Sequence, residues 1–312
     1  MLRRSKKMFQ REKCAPKPRG TKKLSYTCYN PSDLDMLKNS WNQRNPTNKI
    51  VSVDPYQTWN DLKAKNAACN KESCWLDNNK PLYKRTFAPK MPPSWKKNIN
   101  EWLSSDEILE VLTQYETMYP EFEFLGPSPT DYFVKEYGNT CVWEELCKFN
   151  LKEWIAKGKT KIGVVFNLDP HYKSGSHWVA LFINTVTKSI YYFDSTGARI
   201  HKYINRFRKE VQAQAKRDLG EKYAFDTNYQ VEHQYKNTEC GMYVLFFIIT
   251  MLMHDQKYVD PNAPVEIGKA LKQKLSASVG GGATLFESVF KNNRLKFPDK
   301  LMEGLRYEYF NK

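Results

Sequence analysis

The chain has 312 residues, 41% hydrophobic and 27% charged, which is enough for a sizeable buried core. No apolar run is long enough to span a membrane and the first residues lack the apolar stretch of a signal peptide, so we expect a protein that is neither secreted nor inserted in a membrane. Seven cysteines, an odd number in such a chain, favour a reducing compartment. Cys69 and Cys74, and likewise Cys141 and Cys147, lack the spacing of a zinc site, so we assign them to packing and expect neither a metal nor another cofactor.

Most of the net charge of +15 lies at the N-terminus. Residues 1–24 carry ten Lys or Arg and one Glu, with few apolar side chains, and predict a basic disordered tail. Such a tail can attract DNA or an acidic partner, or can serve only as a solubilising arm, and the composition favours neither role.

Residues 25–94 are predicted to form a small helical N-terminal region and a linker. Leu34, Leu37 and Trp41 have helical spacing, and Asp54-Pro55 predicts the cap and first turn of a second helix. The segment 77–94 has four prolines and no periodic pattern, so we place the linker there and begin the catalytic domain, residues 95–312, after it.

The predicted catalytic domain contains both helices and strands. Ser104 to Glu107 has the spacing of a capping box at the start of a helix, and residues 125–129 are interpreted as a loop. Runs at 162–167, 177–183 and 189–193 predict strands, and an amphipathic helix at 200–219 and a strand at 223–231 follow. The run from Tyr243 to Met253 has hardly a polar residue and predicts a buried helix. We expect an α+β fold in which a central mixed sheet packs against that helix.

Cys240 stands at the N-terminus of the buried helix and is the predicted nucleophile. The unpaired N–H groups and the helix dipole there favour a thiolate, although a lone buried cysteine is more often a packing residue. His177 opens one predicted strand and Asp194 ends the next, so in a hairpin the carboxylate can orient the imidazole as a general base. Gln234 precedes the cysteine and is the predicted oxyanion donor. His233 is a rival base, but it lies in a loop.

Taken in order, these residues resemble those of the SUMO-protease-like cysteine peptidases, which process ubiquitin-like proteins. The resemblance rests on His177-Trp178, Asp194, Gln234 and Cys240-Gly241, and it extends upstream to Trp102-Leu103. It implies a papain-like or adenain-like fold with a Cys-His-Asp triad. It also implies that Trp102 and Trp178 enclose a narrow slot for the substrate backbone, and therefore a protein substrate with Gly-Gly before the scissile bond.

Within that family, the string from His233 to Gly241 and the N-terminal segments around Tyr26 and Trp59 look most like the virion-maturation proteases of large nucleocytoplasmic DNA viruses. The implied function is cleavage of viral core polyproteins after Gly-Gly, at assembly sites in the host cytoplasm and in the virion. Three alternatives stay open: an isopeptidase that removes SUMO or ubiquitin, an enzyme that transfers an acyl group to a protein, and a noncatalytic virion protein that binds nucleic acid. The run from Gly280 to Gly282 suggests a further hypothesis, self-cleavage, although a flexible hinge is the commoner role of such a run.

Overall fold

The structure is a computed structural model, and it describes residues 8–17, 24–76, 79–253, 284–293 and 296–312. The chain forms two compact units. One comprises Met1–Met91 together with Tyr309–Lys312, and the other comprises Pro92–Glu308. Gly280 to Gly282 lie outside the described residues, so self-cleavage stays a hypothesis.

The first unit contains the two predicted helices and a third that was not predicted. α1 (Pro31–Arg44) begins with a capping box, in which the Asn30 side chain accepts from the N–H of Asp33 and the Asp33 carboxylate accepts from the N–H of Asn30. α2 (Pro55–Lys65) is capped by Asp54, as predicted. A 3-10 helix (Glu72–Leu76) and α3 (Lys80–Thr86) follow, and together these elements enclose a core of aliphatic and aromatic side chains.

Residues 8–17 and 79–91 are packed parts of this unit, where we expected a disordered tail and a linker. The N–H of Ala15 donates to the carbonyl of Thr86 at 2.9 Å, and the N–H of Ala88 donates to that of Lys13 at 3.0 Å. The Asn311 side chain bonds to Lys13 and Ala88, which places the last residues of the chain here and not in the catalytic unit. The composition shows where charges and prolines are concentrated. It does not show which backbone groups form hydrogen bonds with residues that are distant in sequence.

The second unit is built on a mixed five-stranded sheet in the order β1-β2-β3-β4-β5, which confirms the expected fold class. The outer pairs, β1 with β2 and β4 with β5, are parallel, whereas β2, β3 and β4 are antiparallel to one another in turn. The strands are β1 (Phe122–Pro129), β2 (Lys161–Asn167), β3 (Trp178–Asn184), β4 (Ser189–Phe193) and β5 (Ala224–Thr227). Among the described residues from Pro92 onward, the helices are α4 (Ser105–Met118), α5 (Glu144–Cys147), α6 (Leu151–Ala156), α7 (Lys202–Leu219), α8 (Cys240–Met253), α9 (Leu285–Val289) and α10 (Asp299–Tyr309), with 3-10 helices at Pro93–Lys96 and Tyr137–Asn139.

β1 is the strand that the sequence interpretation missed. Its second half, Leu125 to Pro129, has a glycine and two prolines and was interpreted as a loop. β1 lies at an edge of the sheet, where a proline that cannot donate a hydrogen bond is tolerated, and its register against β2 shifts between Leu125 and Ser128. The same residues come to line the site described below.

α8 has the extent predicted for the buried helix, and all fourteen of its residues are buried. It packs against β2, β3 and α4. α4 begins at the predicted capping box of Ser104 and Glu107. No helix within the described residues is both long enough and apolar enough to cross a membrane. Cys240 therefore starts a rigid core element beside the central strands.

Six of the seven cysteines are paired in disulfides, which corrects the packing role assigned to four of them, Cys69, Cys74, Cys141 and Cys147. The pairing is at odds with the expected reducing compartment, where thiols are kept reduced. The spacing of the cysteines argues against a zinc site, but it does not show which cysteines the fold brings together. The Cα atoms of each pair are between 5.1 and 6.3 Å apart, and the pairs are Cys14 with Cys28, Cys69 with Cys74 and Cys141 with Cys147. Cys240 is the remaining, free thiol.

Candidate active site

His177 and Asp194 form a hydrogen-bonded pair at the ends of two neighbouring strands. β3 and β4 are antiparallel with Ala180 opposite Phe193, so the residue before β3 comes close to the residue after β4. Nε2 of His177 lies 2.8 Å from Oδ1 of Asp194. The Asp194 side chain is 1% exposed, whereas that of His177 is 17% exposed. The carboxylate is thus the buried anchor, and the imidazole is the accessible partner.

Asp194 is held by Thr196 and Asn228, whose contributions the sequence did not reveal. Its Oδ1 accepts from the N–H of Thr196 at 2.9 Å and from the Thr196 hydroxyl at 2.8 Å. The buried Asn228 side chain accepts from the N–H of Asp194 at 3.0 Å and donates to the Asp194 carbonyl at 2.7 Å. Gly197 closes the turn with a φ of +69°, and a Cβ there would stand 2.8 Å from the carbonyl carbon of Val231, so a side chain does not fit.

The His177–Asp194 pair is charged at neutral pH. Burial lowers the pKa of His177, but hydrogen bonds to Asp194 and Cys240 and the negative charges of both groups raise that pKa to about 10. Burial raises the pKa of Asp194, but the bond to His177, its charge and the two Thr196 donors outweigh burial and bring that pKa below its ordinary value. An imidazolium beside a cysteine supports that cysteine as a nucleophile and supplies a proton for a leaving group.

Cys240 is the first residue of α8, so its thiol faces the N-terminal N–H groups of a wholly buried helix. Because Asp194 occupies Nε2 of His177, Nδ1 is the ring atom left for the bond to Cys240. A Cβ at Gly241 would stand 2.7 Å from Cβ of Leu103. The segment before α4 therefore packs directly on the first turn of α8, which explains why glycine follows the nucleophile.

Gln234 is buried and oriented by Ser195, the residue after the triad aspartate. The Ser195 hydroxyl donates to Oε1 of Gln234 at 2.6 Å, and the N–H of Gln234 donates to the Ser195 carbonyl at 2.9 Å. With the amide oxygen engaged as an acceptor, the amide nitrogen is the end left to donate, as an oxyanion donor requires. The turn that contains Asp194 and Ser195 thus positions both the triad carboxylate and the predicted oxyanion donor, Gln234.

Trp102 and Trp178 line the same cavity as His177. The cavity has a volume of about 550 Å³, and Pro127 and Pro129 of β1 form part of its wall. Trp178 is 9% exposed and its Nε1 donates to the carbonyl of Leu103 at 2.9 Å, whereas Trp102 is 44% exposed. The structure brings the two predicted slot residues to the base, with Trp178 also tying β3 to the segment before α4.

His233, the rival base, has a structural role. It is fully buried, and its Nε2 donates to the carbonyl of Phe290 at 2.9 Å. Its Nδ1 accepts from the N–H of Phe297 at 3.3 Å. With one nitrogen donating and the other accepting, the ring is a neutral imidazole engaged with backbone groups.

Residues 126–269 match the model of the Ulp1 protease family, C-terminal catalytic domain. This segment is a Ulp1-like domain. The Ulp1-type segment includes His177, Asp194, Gln234 and Cys240, and it leaves out Trp102 and everything after residue 269. The four side chains that the structure brings together are therefore all supplied by the matched segment.

Two further comparisons concern a curated relative and a solved structure. A mimivirus protein is 34% identical to this chain over 155 residues. It comes from Acanthamoeba polyphaga mimivirus and is named as a thiol protease, R355. The match covers 49% of this chain and 48% of that protein. The chain thus spans about half the length of that relative. The crystal structure of the ASFV pS273R protease has a TM-score of 0.59 and 18% identity, and the match covers 96% of this chain and 95% of that chain. At this identity the likeness shows the fold alone, and it confirms the expected adenain-like cysteine protease fold.

Proposed function

We propose that this chain is a cysteine endopeptidase that cleaves after Gly-Gly in a viral structural polyprotein during virion maturation. The observation that carries the proposal is the convergence of Cys240, His177 and Asp194, with the Gln234 amide oriented towards donation by Ser195. The Ulp1-type match and the mimivirus thiol protease support peptidase chemistry in a virus.

The side chains support a two-step mechanism through an acyl-enzyme. The Cys240 thiolate attacks the carbonyl carbon of the glycine before the scissile bond, and the oxyanion is stabilised by the Gln234 amide and the N–H of Cys240. The C–N bond breaks as the His177 imidazolium gives its proton to the leaving amine. His177, now neutral, takes a proton from water, and the resulting hydroxide attacks the thioester and releases Cys240 as thiolate.

The cavity walls support a preference for glycine at the cleavage point. Trp178 cannot easily move aside because its indole N–H is bonded to Leu103 and its ring is mostly buried. Trp102 faces the same cavity from the segment that Leu103 pins against Gly241. Two indoles that line one cavity beside His177 suit an extended backbone without side chains.

The remaining elements of the proposal concern partners and location. We propose the host cytoplasm and the virion as the places of action, and DNA or an acidic protein as a partner of the basic N-terminal residues. Residues 1–7 and 18–23 hold most of that charge and lie outside the described residues. Of these two places, the disulfides favour the virion, because disulfides persist at virion surfaces whereas thiols are kept reduced in the cytosol.

Parallel assays of wild type and Cys240→Ala test the proposal. We expect wild type to cleave Gly-Gly-X peptides, to leave Gly-Ala-X and Ala-Gly-X peptides intact, and to be labelled by a Gly-Gly aldehyde. Cys240→Ala should do none of these. Thr250→Ala, which removes another small side chain from α8, is the matched control for packing in that helix.

The Ulp1-type match favours one second candidate, an isopeptidase for ubiquitin-like proteins. Cleavage of a folded SUMO fusion, with short Gly-Gly peptides left intact, would replace the proposal by that candidate. Neither labelling nor turnover, with or without DNA, would favour the noncatalytic alternative.

The slot is tested separately by Trp102→Ala. Because Trp102 is 44% exposed, its loss should spare the fold, raise KM for Gly-Gly peptides and admit Gly-Ala peptides. Tyr172→Ala removes a 74% exposed aromatic ring from the loop between β2 and β3 and should change neither. Unchanged KM and selectivity in Trp102→Ala would remove Trp102 from the substrate site.

A further inference from the structure

The loop from His233 to Glu239 carries Gln234 and leads directly into Cys240, and it is bonded along its length to the C-terminal part of the second unit. Its first contact is His233, whose two ring nitrogens bond to the backbone of Phe290 and Phe297. Both partners lie beyond residue 269, where the Ulp1-type match ends. Neither Phe290 nor Phe297 has a role in the sequence-based predictions.

The second contact is made by Asp299 at the start of α10. Its Oδ2 accepts from the N–H of Tyr235 at 3.2 Å and from that of Lys236 at 2.9 Å. Its Oδ1 lies 3.2 Å from the hydroxyl of Tyr243, in the first turn of α8. One carboxylate, 7% exposed, therefore fixes the backbone just after Gln234 and also contacts the nucleophile helix.

The third contact is a buried ion pair directly before the nucleophile. Nε and Nη2 of Arg306 each lie 3.0 Å from Oε2 of Glu239, and both residues are fully buried. The guanidinium also lies 4.6 Å from the ring centre of Trp95. Burial lowers the pKa of Arg306, whereas the negative charges of Glu239 and Cys240 act against that shift. The guanidinium thus lies close enough to Cys240 to interact with it electrostatically.

These contacts follow one another in the same order along both segments. Asp299, Glu303 and Arg306 have the spacing of one helix face, and they meet Tyr235, Lys236 and Glu239 in turn, with Lys236 3.4 Å from Glu303. A loop held at successive points by one face of a helix cannot shift as a whole without breaking several buried polar contacts.

We propose that α10 acts as a splint for the catalytic loop, and that Asp299 and the Glu239–Arg306 pair are positioning residues for Gln234 and Cys240. The inference rests on the proposed cysteine peptidase function. It predicts that the C-terminal region, outside the Ulp1-type segment, determines turnover without touching substrate. KM should be insensitive to it, because Trp102 and Trp178 lie on other elements.

Two variants separate a positioning role from a purely structural one. Asp299→Ala releases the backbone after Gln234. Glu239→Leu/Arg306→Met replaces the buried pair by apolar side chains of similar size, a change that is often neutral or stabilising for a fold, whereas Arg306→Met alone leaves a carboxylate buried without its partner. Lys300→Ala, an exposed site on the same helix, is the matched control.

We expect Asp299→Ala and the double variant each to lower kcat by about 100-fold with KM nearly unchanged. Iodoacetamide alkylation of Cys240 should slow by about tenfold in both, although the double variant melts close to wild type. Wild-type values of kcat and of the Cys240 alkylation rate in the double variant would overturn the inference. A change confined to KM would also overturn it. Should Asp299→Ala fail to fold, the double variant decides alone.

Alkylation keeps the two proposals distinguishable, because Cys240 is the free cysteine and its reactivity needs no peptide substrate. Wild type that alkylates but cleaves no peptide would refute the proposed function. The comparison of alkylation rates among the variants would still test whether α10 positions the catalytic loop.

Discussion

Replacing Asn228 by alanine should lower both the stability of the second unit and its turnover. The side chain is fully buried and makes three hydrogen bonds, to the N–H and carbonyl of Asp194 and, at 3.0 Å, to the carbonyl of Val231. At about 1 kcal/mol net for each bond, with the backbone partners left buried, the loss is about 3 kcal/mol. For a unit of this size that corresponds to a fall in Tm of roughly 6 to 12 °C.

The catalytic effect follows from what Asn228 holds. Asp194 bonds to His177, so freedom in the backbone at Asp194 is passed to the imidazole, and a shift of about 1 Å in a catalytic group can cost about 100-fold in rate. We therefore expect kcat for a Gly-Gly peptide to fall by about 10- to 100-fold, with KM little changed. The assay is steady-state kinetics at a temperature where melting curves show both proteins folded.

Asn184→Ala is the control for this prediction. The Asn184 side chain accepts from the N–H groups of Val186 at 3.0 Å and Thr187 at 3.1 Å, at the end of β3 away from His177. It should cost some stability and leave kcat unchanged. Full kcat in folded Asn228→Ala, or an equal loss of kcat in Asn184→Ala, would refute the view that Asn228 acts through Asp194.

Further predictions concern Gln234, His177 and the disulfides. Gln234→Ala should reduce kcat by about 100- to 1,000-fold with little change in KM, and a change in KM alone would contradict an oxyanion role. An NMR titration should give His177 a pKa of about 10 that falls in Cys240→Ala, because the hydrogen bond and negative charge of the thiolate both raise it. Since the imidazolium is the proton donor, activity should persist as pH rises and fall only near pH 10, and an unmoved pKa in the variant would contradict the ion pair. Denatured but unreduced protein should take up one maleimide by mass spectrometry and reduced protein seven, and extra labelling before reduction would count against the disulfides.

The sequence predicts those parts of the site that depend on residue type and on a local hydrophobic pattern. An uninterrupted apolar run after Cys240 requires a buried helix, and two adjacent β-branched runs predict the hairpin that brings His177 to Asp194. The edge strand β1 was missed because its second half contains prolines and a glycine, which is the composition of a loop. Asn228 was missed because a buried asparagine in an irregular segment has no pattern of its own until its partners are known.

The same distinction explains why the support of the site is spread over the chain while its reacting groups are not. A thiolate, an imidazolium and a carboxylate must stand in contact, so they come from the start of one helix and the adjoining ends of two strands. Holding them needs buried polar contacts to backbone, and any segment that passes close by can provide these. Here the turn after Asp194 orients Gln234 through Ser195, and α10 fixes the loop between Gln234 and Cys240 through Asp299. Because such supports depend on distance in space and not in sequence, we expect them to vary more between relatives than the reacting groups do.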